Sequence, residues 1–225
     1  EEIKGKYRSV IEKIYPLANM QKGMLFHAIE DHTSDAYFQQ TVMDIEGYVD
    51  PAILEASFND IMKRHEILRA SYEYEIVEEP RQIIIENRSI DFTYFNIAKS
   101  SAQQQEMFIE RLINEDRKKG FDLSRDVLMR AYLLKTAERS YRLVWSHHHI
   151  LLDGWCLGII MRELFVIYEN RMNGKASPLK ETKPYSDYIK WLERQDQEEG
   201  RQYWREYLKG YEEQAQLPTL TKQPV

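Results

Sequence analysis

Two apolar segments of strand length lie close together in the middle of the chain, joined by Ala137, Glu138 and Arg139. The segments cover residues 127–136 and 140–149, and so short a connection between two strands predicts an antiparallel hairpin. Strands with apolar faces must be covered by other elements. The hairpin therefore requires a larger sheet and covering helices from the rest of the chain.

Segments with helical and strand periodicity alternate on both sides of the hairpin. Strands are predicted at residues 41–46, 68–75, 82–86 and 90–95, and helices at 19–31, 51–65, 101–118, 155–172 and 185–211. The spacing of Tyr7, Ile11 and Ile14 also predicts a helix that stops before Pro16. The alternation predicts an α/β (α+β) sandwich with a mixed β-sheet covered by helices.

Composition limits the classes of function that this chain can have. Its 225 residues carry a net charge of -6 with acidic and basic residues interspersed, so a nucleic-acid partner is not expected. Cys156 is the single cysteine, which excludes an internal disulfide framework. Together with the lack of a signal-like or membrane-spanning run, this favours the reducing cytoplasm and no membrane contact. The start at Glu1 and the linker-like end suggest a piece of a longer protein.

Chemistry-bearing residues concentrate where the second hairpin strand ends, in SHHHILLDGW at residues 146–155. An imidazole near a carboxylate is suited to general-base work. Strand alternation places His147 and His149 on one face and His148 on the other. Two other interpretations stay open. Two of the histidines could lie in the core while Asp153 caps the next helix, or His147, His149 and Asp153 could bind zinc, although no further ligand cluster supports a metal.

Four segments of the chain carry motifs in a fixed order. They are YPLANMQKGMLFH at residues 15–27, RHEILR at 64–69, HHILLDG at 148–154 and YSDYIKW at 185–191. The third has the HHxxxDG form, and the set resembles the first four core motifs of the condensation domains of nonribosomal peptide synthetases. HxxxD alone also occurs in other acyltransferases of the chloramphenicol acetyltransferase type, so the specificity comes from the ordered set.

The resemblance implies a chloramphenicol acetyltransferase-like lobe that takes part in amide bond formation between two thioester substrates. Each substrate would arrive on the 4'-phosphopantetheine arm of a carrier domain, upstream or downstream, with no cofactor bound by the lobe itself. Residues 1–217 match the N-terminal lobe, and 218–225 would lead to a C-terminal lobe that this sequence lacks. An adjacent adenylation domain is also implied. The isolated lobe is expected to be inactive.

The resemblance assigns roles to the histidine run. His149 would face the reacting groups, either accepting a proton from the attacking amine or holding the amine and the tetrahedral intermediate in place. His148 would be its structural partner. His147 stands where the family varies, which makes it incidental.

Further site-supporting residues follow from the same resemblance. Asp153 is expected to pair with Arg64 and so to pin the loop that holds His149. Gly154 would allow a tight turn and a close approach of substrate to the backbone. Arg69 and Trp204 match structural or site-shaping positions of the family.

Related functions remain as alternatives. A heterocyclisation domain would have aspartates in place of these histidines, and the epimerisation relatives differ in the first motif. A stand-alone acyltransferase using coenzyme A would also carry HxxxD, and a non-catalytic carrier-docking module could share the fold. The intact His148, His149, Asp153 and Arg64 favour condensation.

Overall fold

The computed structural model describes residues 3, 5, 7, 11–31 and 34–212. The chain divides into two compact units, Glu1–Lys190 and Trp191–Val225. The predicted lobe boundary at residue 217 and the predicted linker at 218–225 lie outside the described residues. No helix in the described ranges is both long and apolar enough to cross a membrane.

Seven strands and six helices are found in the described residues. The strands are β1 (Ile11–Pro16), β2 (Phe38–Glu46), β3 (Ala70–Glu73), β4 (Arg81–Ile85), β5 (Asp91–Asn96), β6 (Met129–Lys135) and β7 (Ser140–His148). The helices are α1 (Asn19–Glu30), α2 (Pro51–Arg64), α3 (Ala102–Lys119), α4 (Gly154–Met172), α5 (Tyr185–Glu193) and α6 (Gln197–Tyr207). A 3₁₀ turn, Glu66–Arg69, precedes β3.

The predicted hairpin is confirmed, since β6 and β7 pair antiparallel along their lengths. They form the centre of a four-stranded sheet in the order β2-β7-β6-β5. Strands β5 and β6 pair in parallel, which a short turn cannot achieve, and helix α3 provides the crossover between them. The sheet is therefore mixed, as the alternation of helices and strands predicts.

Helices cover both faces of this sheet. On one face, Ile109 of α3 packs against Leu134 and Val144. On the other, the main core contains Phe58 from α2 and Trp145 from β7, whose ring centroids lie 6.0 Å apart. The opposite placement of Val144 and Trp145 follows from the alternation of side chains along a strand. The predicted fold class, a sandwich of sheet and helices, is confirmed.

The helix predicted for the first segment is wrong, because Ile11–Pro16 is strand β1. It pairs antiparallel with β4, where Ile14 lies opposite Ile83, and β3 flanks β4 on the other side. A few apolar residues fit the period of either structure, and pairing with an isoleucine-rich strand decides in favour of the strand. These three strands form a second sheet in the order β1-β4-β3.

The helix boundaries follow the capping residues in the sequence. The side chain of Asp50 accepts hydrogen bonds from the N–H groups of Ala52 and Ile53 at the start of α2. The helix predicted over residues 185–211 is interrupted, since α6 has a start of its own. There the side chain of Asp196 accepts from the N–H of Glu198 at 2.9 Å.

Candidate active site

His147 is a core residue of the first unit. Its imidazole is buried, and the ring centroid lies 5.3 Å from that of Trp145 on the same face of β7. Burial, with a smaller contribution from His149, lowers the pKa of His147 to about 4. The ring is therefore neutral near neutral pH. Among the described residues, His147, His149 and Asp153 do not form a group of metal ligands. The described residues contain no group of three or more histidine, cysteine and acidic side chains placed to hold a metal ion.

His148 is held by its own loop. Its Nδ1 accepts a hydrogen bond from the N–H of Ile150 at 3.1 Å, and its ring centroid lies 6.1 Å from that of Tyr37. Burial lowers the pKa of His148 to about 4, assisted by His147 and His149. In the neutral ring the proton therefore sits on Nε2, because Nδ1 is the acceptor.

A cavity of about 800 Å³ opens beside His148. Its lining includes the apolar side chains of Leu25, Phe38 and Phe121, together with charged side chains such as Lys118. The cavity thus offers both apolar and charged groups to a ligand.

His149 begins the turn that follows β7 and is half-buried. Its backbone N–H donates to the carbonyl oxygen of Tyr37 at 2.8 Å. Within the described ranges, the hydrogen bonds of His149 are made by its backbone and none by its ring. Of the three imidazoles, that of His149 is the least buried, and it is not among the residues that line the cavity beside His148.

The loop after His149 is anchored by apolar side chains. Ile150, Leu151 and Leu152 are all buried and belong to the main core, and the N–H of Leu151 donates to the carbonyl of His148 at 3.1 Å. A loop that carries three core residues cannot move without exposing them. The backbone of His149 is therefore fixed from the C-terminal side as well.

Asp153 caps helix α4. Its carboxylate is exposed and accepts a hydrogen bond from the N–H of Cys156 at 3.0 Å, which lowers the pKa of Asp153. Gly154 is the first helical residue, and a Cβ placed on it would meet no atom within 4 Å. Gly154 does not have a positive φ angle, so its backbone conformation does not itself require a glycine. Among the described residues, the space beside Gly154 is open, as the predicted close approach of a substrate would need.

The predicted ion pair between Asp153 and Arg64 is also wrong. Arg64 donates from Nε and a terminal nitrogen to the two carboxylate oxygens of Glu163, at 2.9 and 3.2 Å. His65 shares this carboxylate, with its Nε2 at 2.7 Å. Ten residues of helix separate Asp153 from Glu163, about 15 Å along the axis, and the C-terminus of α2 packs at the Glu163 level.

Glu163 is nearly inaccessible to solvent, and its partners make its burial possible. Burial alone would raise the pKa of this carboxyl, but the hydrogen bonds from Arg64 and His65 outweigh it and lower the pKa. The first arginine of the RHEILR motif therefore clamps α2 to α4, and it does not reach the loop of His149.

Glu66 connects three of the four motifs. Its carboxylate accepts a hydrogen bond from the N–H of Ser186 at 2.6 Å and another from the hydroxyl of Tyr15 at 3.4 Å. It also forms an ion pair with Lys13. Burial acts to raise the pKa of Glu66, and the bonds from Lys13 and Ser186 lower it below its ordinary value. The first, second and fourth motifs thus meet at one buried carboxylate.

Arg69, the last residue of RHEILR, also makes structural contacts. Its guanidinium is buried and donates to the carbonyls of Met62, Ile85 and Glu86 at 2.9 to 3.1 Å, and to the carboxylate of Glu12 at 2.6 Å. These bonds join the end of α2 to strand β1 and to the end of the central strand β4 in the three-stranded sheet.

Trp204 lies in the second unit, on helix α6. Its indole is more than half exposed, and its ring centroid lies 5.7 Å from that of Tyr207 in an edge-on arrangement. The described part of α6 has no buried residue, and its aromatic side chains pack on one another.

Three buried polar residues that connect separate segments were not identified from the sequence: Gln21, Glu66 and Glu163. Two of them had a visible signal. Gln21 stands one turn before the buried Leu25, and Glu163 lies between the buried Ile160 and Leu164. A polar residue inside an apolar helical stripe must find partners, which marks it as part of a buried network.

The condensation domain family profile matches residues 11–225. The chain therefore belongs to the condensation domain family. It is 98% identical to bacitracin synthase 3 of Bacillus licheniformis over 222 residues, and 59% identical to bacitracin synthase 1 of the same organism over 223 residues. Each alignment covers 99% of this chain and 4% of the relative.

Solved structures show the same fold. The starter condensation domain of rhizomide synthetase superposes with a TM-score of 0.80 at 18% identity, covering 90% of this chain and 49% of that one. The first condensation domain of the calcium-dependent antibiotic synthetase, solved with a substrate analogue, gives a TM-score of 0.74 at 16% identity. That match covers 88% of this chain and 49% of that one, so the chain spans about half of a solved condensation domain.

Proposed function

We propose that this chain is the N-terminal half of a condensation domain that forms amide bonds, with His149 at the reacting atoms. The observation that carries the proposal is the position of His149. In the HHxxxDG loop it is the half-buried histidine whose ring makes no hydrogen bond within the described residues, and its backbone is held on both sides. His147 and His148 are buried and engaged in packing or in the loop itself.

The substrates proposed are two acyl groups held as thioesters on the 4'-phosphopantetheine arms of an upstream and a downstream carrier domain. The α-amine of one substrate attacks the thioester carbonyl carbon of the other. The C–N bond forms, the C–S bond breaks, and the proton lost by the amine ends on the leaving sulfur. The imidazole of His149 acts on the amine, as a base for its proton or as the group that aims it, and general-base help is worth about 100- to 10,000-fold.

The surroundings of the loop support this assignment. The cavity beside His148 is large enough for a flexible tethered group, and the proton on Nε2 of His148 provides a donor for a carbonyl or amide oxygen. The 98% identical relative is far longer than this chain, consistent with adenylation and carrier partners in the same assembly.

The test is His149→Ala in the complete parent synthetase with both carriers loaded. Single-turnover product formation is expected to fall by at least about 100-fold. His147→Leu is the matched control, because His147 is a neighbouring buried histidine with no proposed part in the chemistry. Unchanged synthesis with His149→Ala would favour a non-catalytic carrier-docking module.

Two further arms separate the alternatives. Acyl transfer from free acyl-coenzyme A by the parent would indicate a stand-alone type of acyltransferase. The chain by itself, offered two loaded carriers, is expected to yield no product, because the solved domains of this fold are about twice as long. A dipeptidyl product from the isolated chain would contradict the need for a second lobe.

A further inference from the structure

A buried polar cluster connects the first sequence motif to the loop that carries His149. Its members are Gln21 on α1, Tyr72 on β3 and Gln82 on β4, whose exposed fractions are 4%, 0% and 0%. Gln21 and Tyr72 reach the carbonyl oxygen of Ile150, the residue after His149, and Gln82 bonds the side chain of Gln21. Polar groups this deep are costly unless each finds a partner, so the contacts of this cluster define its geometry.

Fixed backbone groups set the orientation of both side-chain amides. The Oε1 of Gln21 accepts the N–H of Ala18 at 2.9 Å, and the Nε2 of Gln82 donates to the carbonyl of Pro16 at 2.8 Å. The Nε2 of Gln82 also donates to the Oε1 of Gln21 at 3.1 Å. Flipping either amide would place like atoms against these backbone partners, so the orientation is determined.

With its oxygen committed to Ala18, Gln21 directs its Nε2 towards the loop of His149. This nitrogen lies 3.3 Å from the carbonyl oxygen of Ile150 and 3.1 Å from the hydroxyl of Tyr72. The hydroxyl of Tyr72 in turn donates to the same carbonyl at 3.4 Å. Two donors from separate elements therefore converge on the Ile150 carbonyl, in a place that water does not reach.

The backbone on the other side of His149 is fixed as well. Its N–H is bound to the carbonyl of Tyr37, and the N–H of Ile150 is bound to the ring of His148. The ring of His149 makes no hydrogen bond in the described part of the chain. The backbone contacts therefore fix the Cα position from which the imidazole of His149 projects, and the Ile150 carbonyl is one of the points that hold this backbone.

We propose that Gln21, acting with Tyr72, is a positioning residue for His149 in amide bond formation. This inference rests on the function proposed above. An amide is required at position 21, because the side chain must accept from Ala18 and donate to Ile150 at the same time. A glutamate there would keep the first bond and turn a negatively charged oxygen towards the Ile150 carbonyl.

The experiment compares Gln21→Glu and Tyr72→Phe in the complete parent synthetase with both carriers loaded. We expect kcat for amide bond formation to fall about 10- to 100-fold in Gln21→Glu and by less in Tyr72→Phe, with little change in KM for the carriers. Ser57→Ala is the matched control. Its hydroxyl is equally buried but bonds only within α2, to the carbonyl of Ile53 at 2.7 Å, so kcat should not change.

A double mutant distinguishes positioning from a general structural role. If Gln21 acts through His149, then Gln21→Glu causes no further loss of rate in the His149→Ala background. A full additional loss there, a change confined to KM, or an unchanged kcat in folded Gln21→Glu would overturn the inference. Should Gln21→Glu fail to fold, Tyr72→Phe, which removes a single hydroxyl, decides by the same criteria.

The two proposals fail in different ways. A severe effect of His149→Ala together with a normal rate in Gln21→Glu would overturn the positioning role alone. A normal rate in His149→Ala would overturn the proposed function and the positioning role with it.

Discussion

At the scale of single residues, three adjacent histidines acquire different properties because each ring meets different surroundings. His147 packs on Trp145 inside the core, and the Nδ1 of His148 accepts a hydrogen bond from a backbone N–H. Both rings are buried, and burial keeps them neutral near neutral pH. The ring of His149 is half-buried and makes no hydrogen bond within the described residues, which is why we propose that it acts on the substrate amine.

The buried histidines predict a loss of stability in mild acid. Folding lowers the pKa of His147 and of His148 from 6.5 to about 4, so between these values the unfolded chain binds more protons than the folded chain. The free energy of unfolding is then fully retained above about pH 6.5 and falls as the pH drops towards 4. Each ring contributes at most about 3 kcal/mol to this loss.

Urea unfolding measured at a series of pH values from neutral downward checks this prediction. Wild type is compared with His147→Leu, because the carboxylates titrate alike in both proteins and their contribution cancels in the difference. Wild type should lose stability relative to His147→Leu as the pH falls below about 6.5. A difference between the two proteins that stays constant with pH would contradict the burial of a neutral ring.

At the scale of the elements, the contact between α2 and α4 depends on Arg64 and Glu163, and Asp153 acts within its own helix. We expect a double-mutant cycle on Arg64→Ala and Glu163→Ala to give a coupling energy of about 1–3 kcal/mol. The cycle on Arg64→Ala and Asp153→Ala should give about zero, and Asp153→Ala alone should cost about 1 kcal/mol through loss of the cap. Equal coupling energies in the two cycles would support an ion pair between Arg64 and Asp153.

Elements with strong periodicity or clear caps could be predicted from the sequence, and contacts between distant segments could not. The hairpin of β6 and β7 and the start of α2 at Asp50 follow from local patterns. The spacing of apolar residues in the first segment predicts a helix, but the segment is a strand because it pairs with β4. This pairing is a long-range contact, which the local spacing of residues does not reveal.

The same limit applies to the candidate site. The position of the histidine loop is evident from its residues, but its supports come from segments distant in sequence. Which carboxylate Arg64 reaches depends on where α2 crosses α4, and the contact of Gln21 with Ile150 depends on where α1 lies relative to the histidine loop. Neither distance is encoded in the spacing of a motif.

At the scale of the molecule, the chain exposes apolar surface next to its candidate site. Trp155 and Ile159 stand one turn apart on α4, and the indole of Trp155 is 88% exposed. This helix begins directly after the loop of His149. The solved condensation domains of this fold are about twice as long as the matched region.

The chain on its own is therefore expected to self-associate through this end of α4, because large exposed apolar side chains favour association in water. Light scattering over a range of concentrations should show a mass that rises with concentration for wild type. The double variant Trp155→Ser with Ile159→Ser should shift the rise to higher concentration without lowering stability, since neither side chain is part of the core. Phe165→Ser, a change of similar polarity farther along α4, is the matched control and should have a smaller effect. A monomer at every concentration for wild type would show that this apolar row does not associate by itself.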